Sequence, residues 1–203
     1  MGARTQRRKL ERTLNKVTDS SLLYQIKHQL NSIQSQRFVE NLPPERRAVI
    51  LGNALPKKYS EIGKGPKTYN DDNIEQEIIW LIKLFNQYHS EINYFLELEN
   101  KFEHYFLKGE YDLAKSILNI IEENICVSLW SIEKRLLIAE FETGFKKNKD
   151  ELTKVLQQDN ELIIEIISKY LSIRVEKKFS FFKYEEIISS YLDYYDDYNL
   201  KNY

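Results

Sequence analysis

The sequence predicts an all-α protein, and three observations lead to this prediction. From Lys67 to Tyr203 the chain contains no proline and only two glycines, Gly109 and Gly144. Apolar residues recur through this region at intervals of three and four, which places them on one face of a helix. Both glycines follow such a stretch, where glycine commonly ends a helix. A sheet of this length would need more turn residues than the region contains.

The clearest helical pattern lies between Tyr94 and Gly144. Its first helix carries an apolar stripe and ends at Gly109: Phe95, Leu98, Phe102, Tyr105 and Phe106. A second helix follows at once with its own stripe: Tyr111, Ala114, Ile117, Leu118 and Ile121. A third helix is predicted from Ser128, a good N-cap residue, to Gly144, and its wide apolar stripe indicates packing on two sides. The first two helices therefore form an αα-hairpin.

Part of this hairpin resembles a known repeat. Its matching positions are similar to the middle of a tetratricopeptide-type repeat: Tyr105, Gly109, Tyr111, Asp112, Ala114 and Leu118. The resemblance covers about one repeat, residues 94–126. It departs from the pattern at Phe102, where a small residue is usual, and no proline follows Ile125. The resemblance implies helical hairpins packed in a repeat-like (TPR-like) bundle, and such proteins mostly bind other proteins.

Charge and turn residues divide the chain into three predicted parts. Through Thr68 there are 14 Lys and Arg against 5 Asp and Glu, whereas from Tyr69 onward there are 16 against 26. All four prolines fall between Pro43 and Pro66. We therefore expect a basic helical N-terminal segment at 1–51, a Pro/Gly-rich linker at 52–72 and an acidic all-helical hairpin domain at 73–203.

The basic residues near the N-terminus have two interpretations. Six cations accompany a single acidic residue, Glu11: Arg4, Arg7, Arg8, Lys9, Arg12 and Lys16. Leu10, Leu14 and Val17 keep helical spacing within this segment. Together with Lys57, Lys58, Lys64 and Lys67 of the linker, the cations are candidates for contacts with a nucleic-acid backbone. The alternative is a solvated terminus that aids solubility or pairs with the acidic half.

A long apolar seam precedes the hairpin. Its members alternate in steps of four and three, as in a coiled coil: Ile74, Ile78, Leu81, Phe85, Tyr88, Ile92 and Phe95. The helix either continues unbroken into the Phe102 helix or breaks near His89. We expect the seam to pack inside the domain, and the alternative is contact with another chain. Trp80 lies off the seam and is either a packing contact or an exposed anchor, so Trp80 and Trp130 are the candidate partner-binding residues.

No arrangement of residues in the sequence predicts a catalytic or metal-binding site. The three histidines, His28, His89 and His104, do not pair with one another or with Cys126 at the usual spacing for zinc. We therefore expect no metal, no cofactor, no small-molecule substrate and no catalytic site. Downstream of Gly144, Asn148 and Glu151 have the spacing of a capping box at the start of the next helix.

Composition indicates the cellular compartment and the type of genome. Cys126 is the only cysteine, so an internal disulfide is impossible, and no apolar run approaches the length of a membrane span. We expect a cytoplasmic protein without membrane contact, and its Lys, Asn, Ile and Tyr content is typical of a low-GC bacterial genome. The predicted function is a non-catalytic scaffold that binds a protein partner, as a subunit or N-terminal module of a larger bacterial assembly. The alternative is a nucleic-acid-binding protein that uses the basic segment and linker.

Overall fold

The computed structural model of the chain describes residues 32–41, 53–63 and 74–195, and within these ranges the protein is all-helical. The predicted fold class is thereby confirmed. One 3₁₀ turn lies at Tyr59–Glu61. The α-helices of the described ranges are α1 (Ser32–Glu40), α2 (Ile74–Gln87), α3 (His89–Leu107), α4 (Tyr111–Asn124), α5 (Leu129–Glu142), α6 (Phe145–Leu156), α7 (Leu162–Arg174) and α8 (Phe181–Tyr195).

The chain divides into two compact units. The first consists of residues 1–54 and 64–94, and the second of residues 55–63 and 95–203. Residues 55–63, which we call the strap, therefore belong to the second unit although they lie inside the predicted linker. The strap and the helices from Phe95 onward share one core, and the three-part division of the chain stays a prediction.

Apolar side chains and one backbone bond attach the strap to the second unit. Leu55 packs against the buried cluster of Leu98, Ile121 and Ile125. The carbonyl oxygen of Pro56 accepts a hydrogen bond from the backbone N–H of Val127 (2.8 Å). Two further strap residues, Tyr59 and Ile62, pack against the cluster formed by Ile132, Leu136, Val155, Leu171 and Val175. Part of the predicted linker is thus part of the folded unit, because its neighbours supply apolar partners.

The predicted αα-hairpin is formed by α3 and α4. Gly109 has a φ of 76°, the left-handed region that ends helices. The N–H of Gly109 donates to Phe106 O (3.0 Å) and the N–H of Glu110 donates to Tyr105 O (3.0 Å), which together form a Schellman motif. Ala114 is fully buried in one cluster with Phe102 of α3 and Leu118 of α4, through which the two helices pack. The relation of this hairpin to tetratricopeptide repeats stays a prediction.

Helix α5 lies at the centre of the second unit, as its wide apolar stripe indicated. Ile132 and Leu136 face the cluster shared with α6 and α7, whereas Ile138 faces the cluster shared with α3 and α4. Ser128 caps the helix, because its side chain accepts from Ser131 N (3.2 Å) and its N–H donates to Ser131 Oγ (3.0 Å). The predicted start of this helix is confirmed.

The predicted cap at Asn148 is wrong. Helix α6 begins at Phe145, directly after Gly144, and Asn148 lies inside it and is fully buried. Its amide donates to Ser172 O (3.3 Å), and its Oδ1 accepts from Ser172 Oγ (2.5 Å). The asparagine therefore joins α6 to α7, a tertiary role that its local spacing does not reveal.

Candidate functional site

Helix α2 turns an apolar surface to solvent. We call this surface the apolar face, and its members are 46 to 67% exposed: Ile74, Ile78, Leu81, Ile82 and Phe85. Four of the five belong to the predicted seam. The expectation that these seam residues pack inside the domain is therefore wrong. The seam helix ends at Gln87, and a turn at Tyr88 separates it from α3, so the predicted alternative of a break near His89 is confirmed.

The opposite side of α2 is the buried one. Trp80 is only 5% exposed and its ring centroid lies 6.0 Å from that of Phe38 on α1. Lys83, one turn further along, is also buried, and desolvation lowers the pKa of its ammonium group. Of the two alternatives for Trp80, this position favours the packing contact, and its role in partner binding stays a prediction.

The orientation of α2 has an energetic consequence. Fully burying one large aliphatic or aromatic side chain contributes about 1.5–3 kcal/mol. Since the five side chains of the apolar face are about half exposed, covering them would contribute roughly 5 kcal/mol. Monomeric proteins rarely leave a contiguous surface of this kind uncovered, and such surfaces mark interaction sites. The apolar face is the candidate functional site of the first unit.

The second unit carries a half-buried polar cluster between the strap, α4 and α5. Arg135 Nε donates to both carboxylate oxygens of Glu122 (2.8 and 3.0 Å), and Arg135 Nη2 donates to Asn119 Oδ1 (2.8 Å) and to Glu122. The Tyr59 hydroxyl donates to Glu122 Oε1 (3.2 Å). One carboxylate therefore receives donors from two separate segments, which fixes the strap to the helices.

The cluster lines a cavity of about 300 Å³. Polar side chains from α6 complete its wall: Glu151, Lys154 and Gln158 beyond the helix end. Lys154 Nζ and Glu151 Oε1 form an ion pair (2.6 Å). Because each carboxylate in the wall is already paired with a cation, the cluster is suited to holding the unit together and to polar recognition.

Burial and charge shift two pKa values in this cluster. Burial, followed by the negative charge of Glu122, raises the pKa of Tyr59 to about 12. Burial alone would lower the pKa of Arg135, but the hydrogen bonds and charge of Glu122 outweigh it and raise that pKa. Both groups therefore stay protonated, as donors, throughout the physiological range.

The shifted pKa of Tyr59 predicts a loss of stability at high pH. Above its usual value of 10.0 the unfolded chain releases the phenolic proton, whereas the folded chain keeps it up to about pH 12. The contribution of Tyr59 to the free energy of unfolding is fully present below pH 10 and falls between pH 10 and 12 by about 1.4 kcal/mol per pH unit. Denaturant unfolding from pH 9 to 11.5 should show that the difference in free energy of unfolding between wild type and Tyr59→Phe shrinks as the pH rises. A difference in free energy of unfolding that stays constant across this range would contradict the prediction.

Two of the ten predicted nucleic-acid residues, Lys57 and Lys58, lie within the described residues. Lys57 Nζ donates to Glu123 O and Ile125 O, both at 2.9 Å, so this cation caps the C-terminal end of α4. Lys58 is exposed. The remaining members of that predicted set lie outside the described residues: Arg4, Arg7, Arg8, Lys9, Arg12, Lys16, Lys64 and Lys67.

Trp130, the second candidate partner-binding residue, is half-buried in the second unit. Its ring contacts Phe95 and Phe102 edge to face, with centroids at 5.2 and 5.3 Å. Lys134 Nζ lies 5.6 Å from the Trp130 ring centroid. The residue contributes to the aromatic core around α3 and α5, and its predicted contact with a partner is not tested by this position.

Sequence reasoning missed the Tyr59, Glu122 and Arg135 cluster. Glu122 and Arg135 lie on different helices and Tyr59 lies on the strap, so no local spacing links them. Across residues 32–41, 53–63 and 74–195, no group of three or more His, Cys, Asp and Glu side chains is placed to bind a metal ion. None of the helices in those ranges is long and apolar enough to cross a membrane.

Comparison of the chain with protein-family models, with curated proteins and with solved structures finds no match. Function therefore has to be argued from the surfaces described above.

Proposed function

We propose that the chain is a cytoplasmic, non-catalytic helical scaffold that binds a protein partner, as a subunit or N-terminal module of a larger bacterial assembly. One observation carries this proposal: α2 buries Trp80 and Lys83 and leaves its most apolar side in water. A partner that covers this side would recover the hydrophobic free energy that the isolated chain lacks.

The spacing of the apolar face supports a helical partner. Ile74, Ile78, Leu81 and Phe85 follow one another at steps of four, three and four, which is the seam of a two-stranded coiled coil. An amphipathic partner helix would insert its own apolar residues between them. The TPR-like hairpin of α3 and α4, with the strap, α5, α6 and α7, would then serve as the rigid body of the assembly.

The proposal is tested by placing charges on the apolar face. Ile78→Asp with Leu81→Asp should reduce partner binding at least roughly tenfold, because two buried carboxylates would be unpaired in the complex. The matched control is Leu107→Asp with Leu113→Asp, two exposed apolar residues of the second unit at 81 and 48% exposure. Quantitative affinity capture from cells that encode the protein identifies the partner, and calorimetry with the purified partner measures both double variants.

Both double variants should keep the helical circular dichroism and unfolding midpoint of wild type, since exposed substitutions usually change stability by under about 0.5 kcal/mol. A partner that binds the Ile78→Asp, Leu81→Asp variant as tightly as wild type would overturn the proposal for this face.

A further inference from the structure

The apolar face of α2 has the same spacing in both directions along the helix. Its central line, Ile74, Ile78, Leu81 and Phe85, advances in steps of four, three and four residues. Read from the C-terminal end, the line has the same steps. A second copy of α2 that runs in the opposite direction therefore presents apolar residues at matching positions along the axis, as a shared coiled-coil seam requires.

This symmetry gives a single register for an antiparallel pair. When Ile78 of one copy faces Leu81 of the second copy, Ile74 faces Phe85 at both ends of the seam. The twofold axis then passes between positions 79 and 80. Such an interface is isologous, because each copy offers the same surface to the other, and the assembly is complete with two copies.

The packing of α2 holds this face outward. On the opposite side of the helix, Trp80 and Lys83 are 5 and 8% exposed. Phe38 of α1 packs against Trp80 on that side. Because α1 contacts the side that carries Trp80, the line from Ile74 to Phe85 is presented to a second molecule.

Charge selects the antiparallel direction. Glu75 and Glu77 flank the seam in the first turn of α2. In a parallel pair, these carboxylates of both copies would lie at the same end, where like charges repel. In an antiparallel pair they lie at opposite ends. The dipoles of the two helices then also run in opposite directions, which is the favourable arrangement for neighbouring helices.

The size of the face is suited to a weak dimer. A monomeric protein rarely exposes a contiguous apolar patch larger than a few hundred Å². Two patches of about this size together approach the roughly 1,000 Å² of the smallest specific interfaces. We therefore expect a dissociation constant on the order of 10–100 µM.

We propose that the partner that covers the apolar face is a second copy of the chain, joined to the first in an antiparallel twofold pair of α2 helices. The inference rests on the proposed function, because it names the protein that binds the face. The assembly is then built on a dimer.

Sedimentation equilibrium tests the pairing. The average mass of wild type should rise from that of one chain at about 1 µM towards that of two chains at about 500 µM. Ile78→Asp with Leu81→Asp should weaken association at least roughly tenfold, because it places four carboxylates at the centre of the seam. The matched control, Leu107→Asp with Leu113→Asp, should associate as wild type does. Wild type that remains monomeric throughout, or equal weakening in both double variants, would overturn the proposal.

Disulfide trapping tests the direction. In a Cys126→Ser background, a mixture of Ile74→Cys and Phe85→Cys chains should form an intermolecular disulfide, since facing seam positions have the Cα separation that a disulfide needs. The matched control mixes Ile74→Cys with Asn86→Cys, an exposed position about 100° around the helix from Phe85. The control should react roughly tenfold more slowly. Ile74→Cys that cross-links to itself as fast as the mixture would show a parallel pair and overturn the proposal.

The two proposals fail separately. Suppose that wild type remains monomeric, and that Ile78→Asp with Leu81→Asp loses binding to a partner of different sequence. The proposed function then stands and the second copy is overturned. If wild type dimerises and the same variant dimerises equally well, the dimer uses another surface, which overturns the inference whatever the variant does to partner binding.

Discussion

Replacing Phe102 by alanine is expected to lower the free energy of unfolding of the second unit by about 3–5 kcal/mol. Phe102 is fully buried among Ala114, Leu118 and Ile138. Its ring stacks on that of Phe106 (6.0 Å) and meets that of Trp130 edge to face (5.3 Å). Alanine removes these contacts and leaves a cavity that rigid neighbouring helices fill only in part. Denaturant unfolding followed by circular dichroism measures the difference.

The matched control for Phe102 is Leu107→Ala on the same helix, because Leu107 is 81% exposed. Alanine there removes a side chain that is mostly in water and should change the unfolding free energy by under about 0.5 kcal/mol. Equal losses in the two variants would show that α3 does not contribute to the core as described.

Replacing Arg135 by methionine is expected to destabilise the second unit by about 2–4 kcal/mol. The change leaves the Glu122 carboxylate, whose side chain is 11% exposed, without its cation and with Tyr59 as its remaining hydrogen-bond donor. A buried charge without its partner costs more than the pair contributed. Because Glu122 also accepts a hydrogen bond from Tyr59, the strap should loosen as well. The N–H of Val127, which donates to the Pro56 carbonyl, should then exchange its hydrogen faster.

A double-mutant cycle separates pairing from packing. Glu122→Met combined with Arg135→Met should recover much of the loss, since apolar side chains often replace a buried ion pair at little cost. The exposed pair Lys101 and Glu97, with side chains 51 and 60% exposed, provides the comparison and should show a coupling under about 0.5 kcal/mol. Similar coupling energies for both pairs would contradict the structural role assigned to Arg135.

Helix existence and most helix ends could be predicted because their causes are local. Gly109 supplies a positive φ, Ser128 supplies a capping hydroxyl, and both act within a few residues of the helix end. The apolar stripes likewise depend on spacing alone. Asn148 shows the limit of this reasoning, since its spacing to Glu151 resembles a cap, whereas its partner Ser172 belongs to another helix.

The candidate sites could be predicted less well. The apolar residues of α2 were recognised as a seam, but the side of the helix that is buried depends on Phe38 of α1 packing against Trp80. The polar cluster was not recognised, because Tyr59 is 63 residues from Glu122 and Arg135 is 13 residues from it. Nothing in the local pattern of the strap distinguishes it from a flexible linker.

The sequence by itself determined that the described chain is all-helical, where its main hairpin turns, and that its two halves carry opposite charge. These properties follow from backbone preference, side-chain period and composition, which act within one segment. Only the tertiary structure decided that residues 55–63 join the second unit, that Arg135 pairs with Glu122, and that α2 exposes its apolar side. Each of these features depends on which distant segments contact one another. Those contacts are determined by burial of apolar surface in the whole core, and no single stretch of residues contains that information.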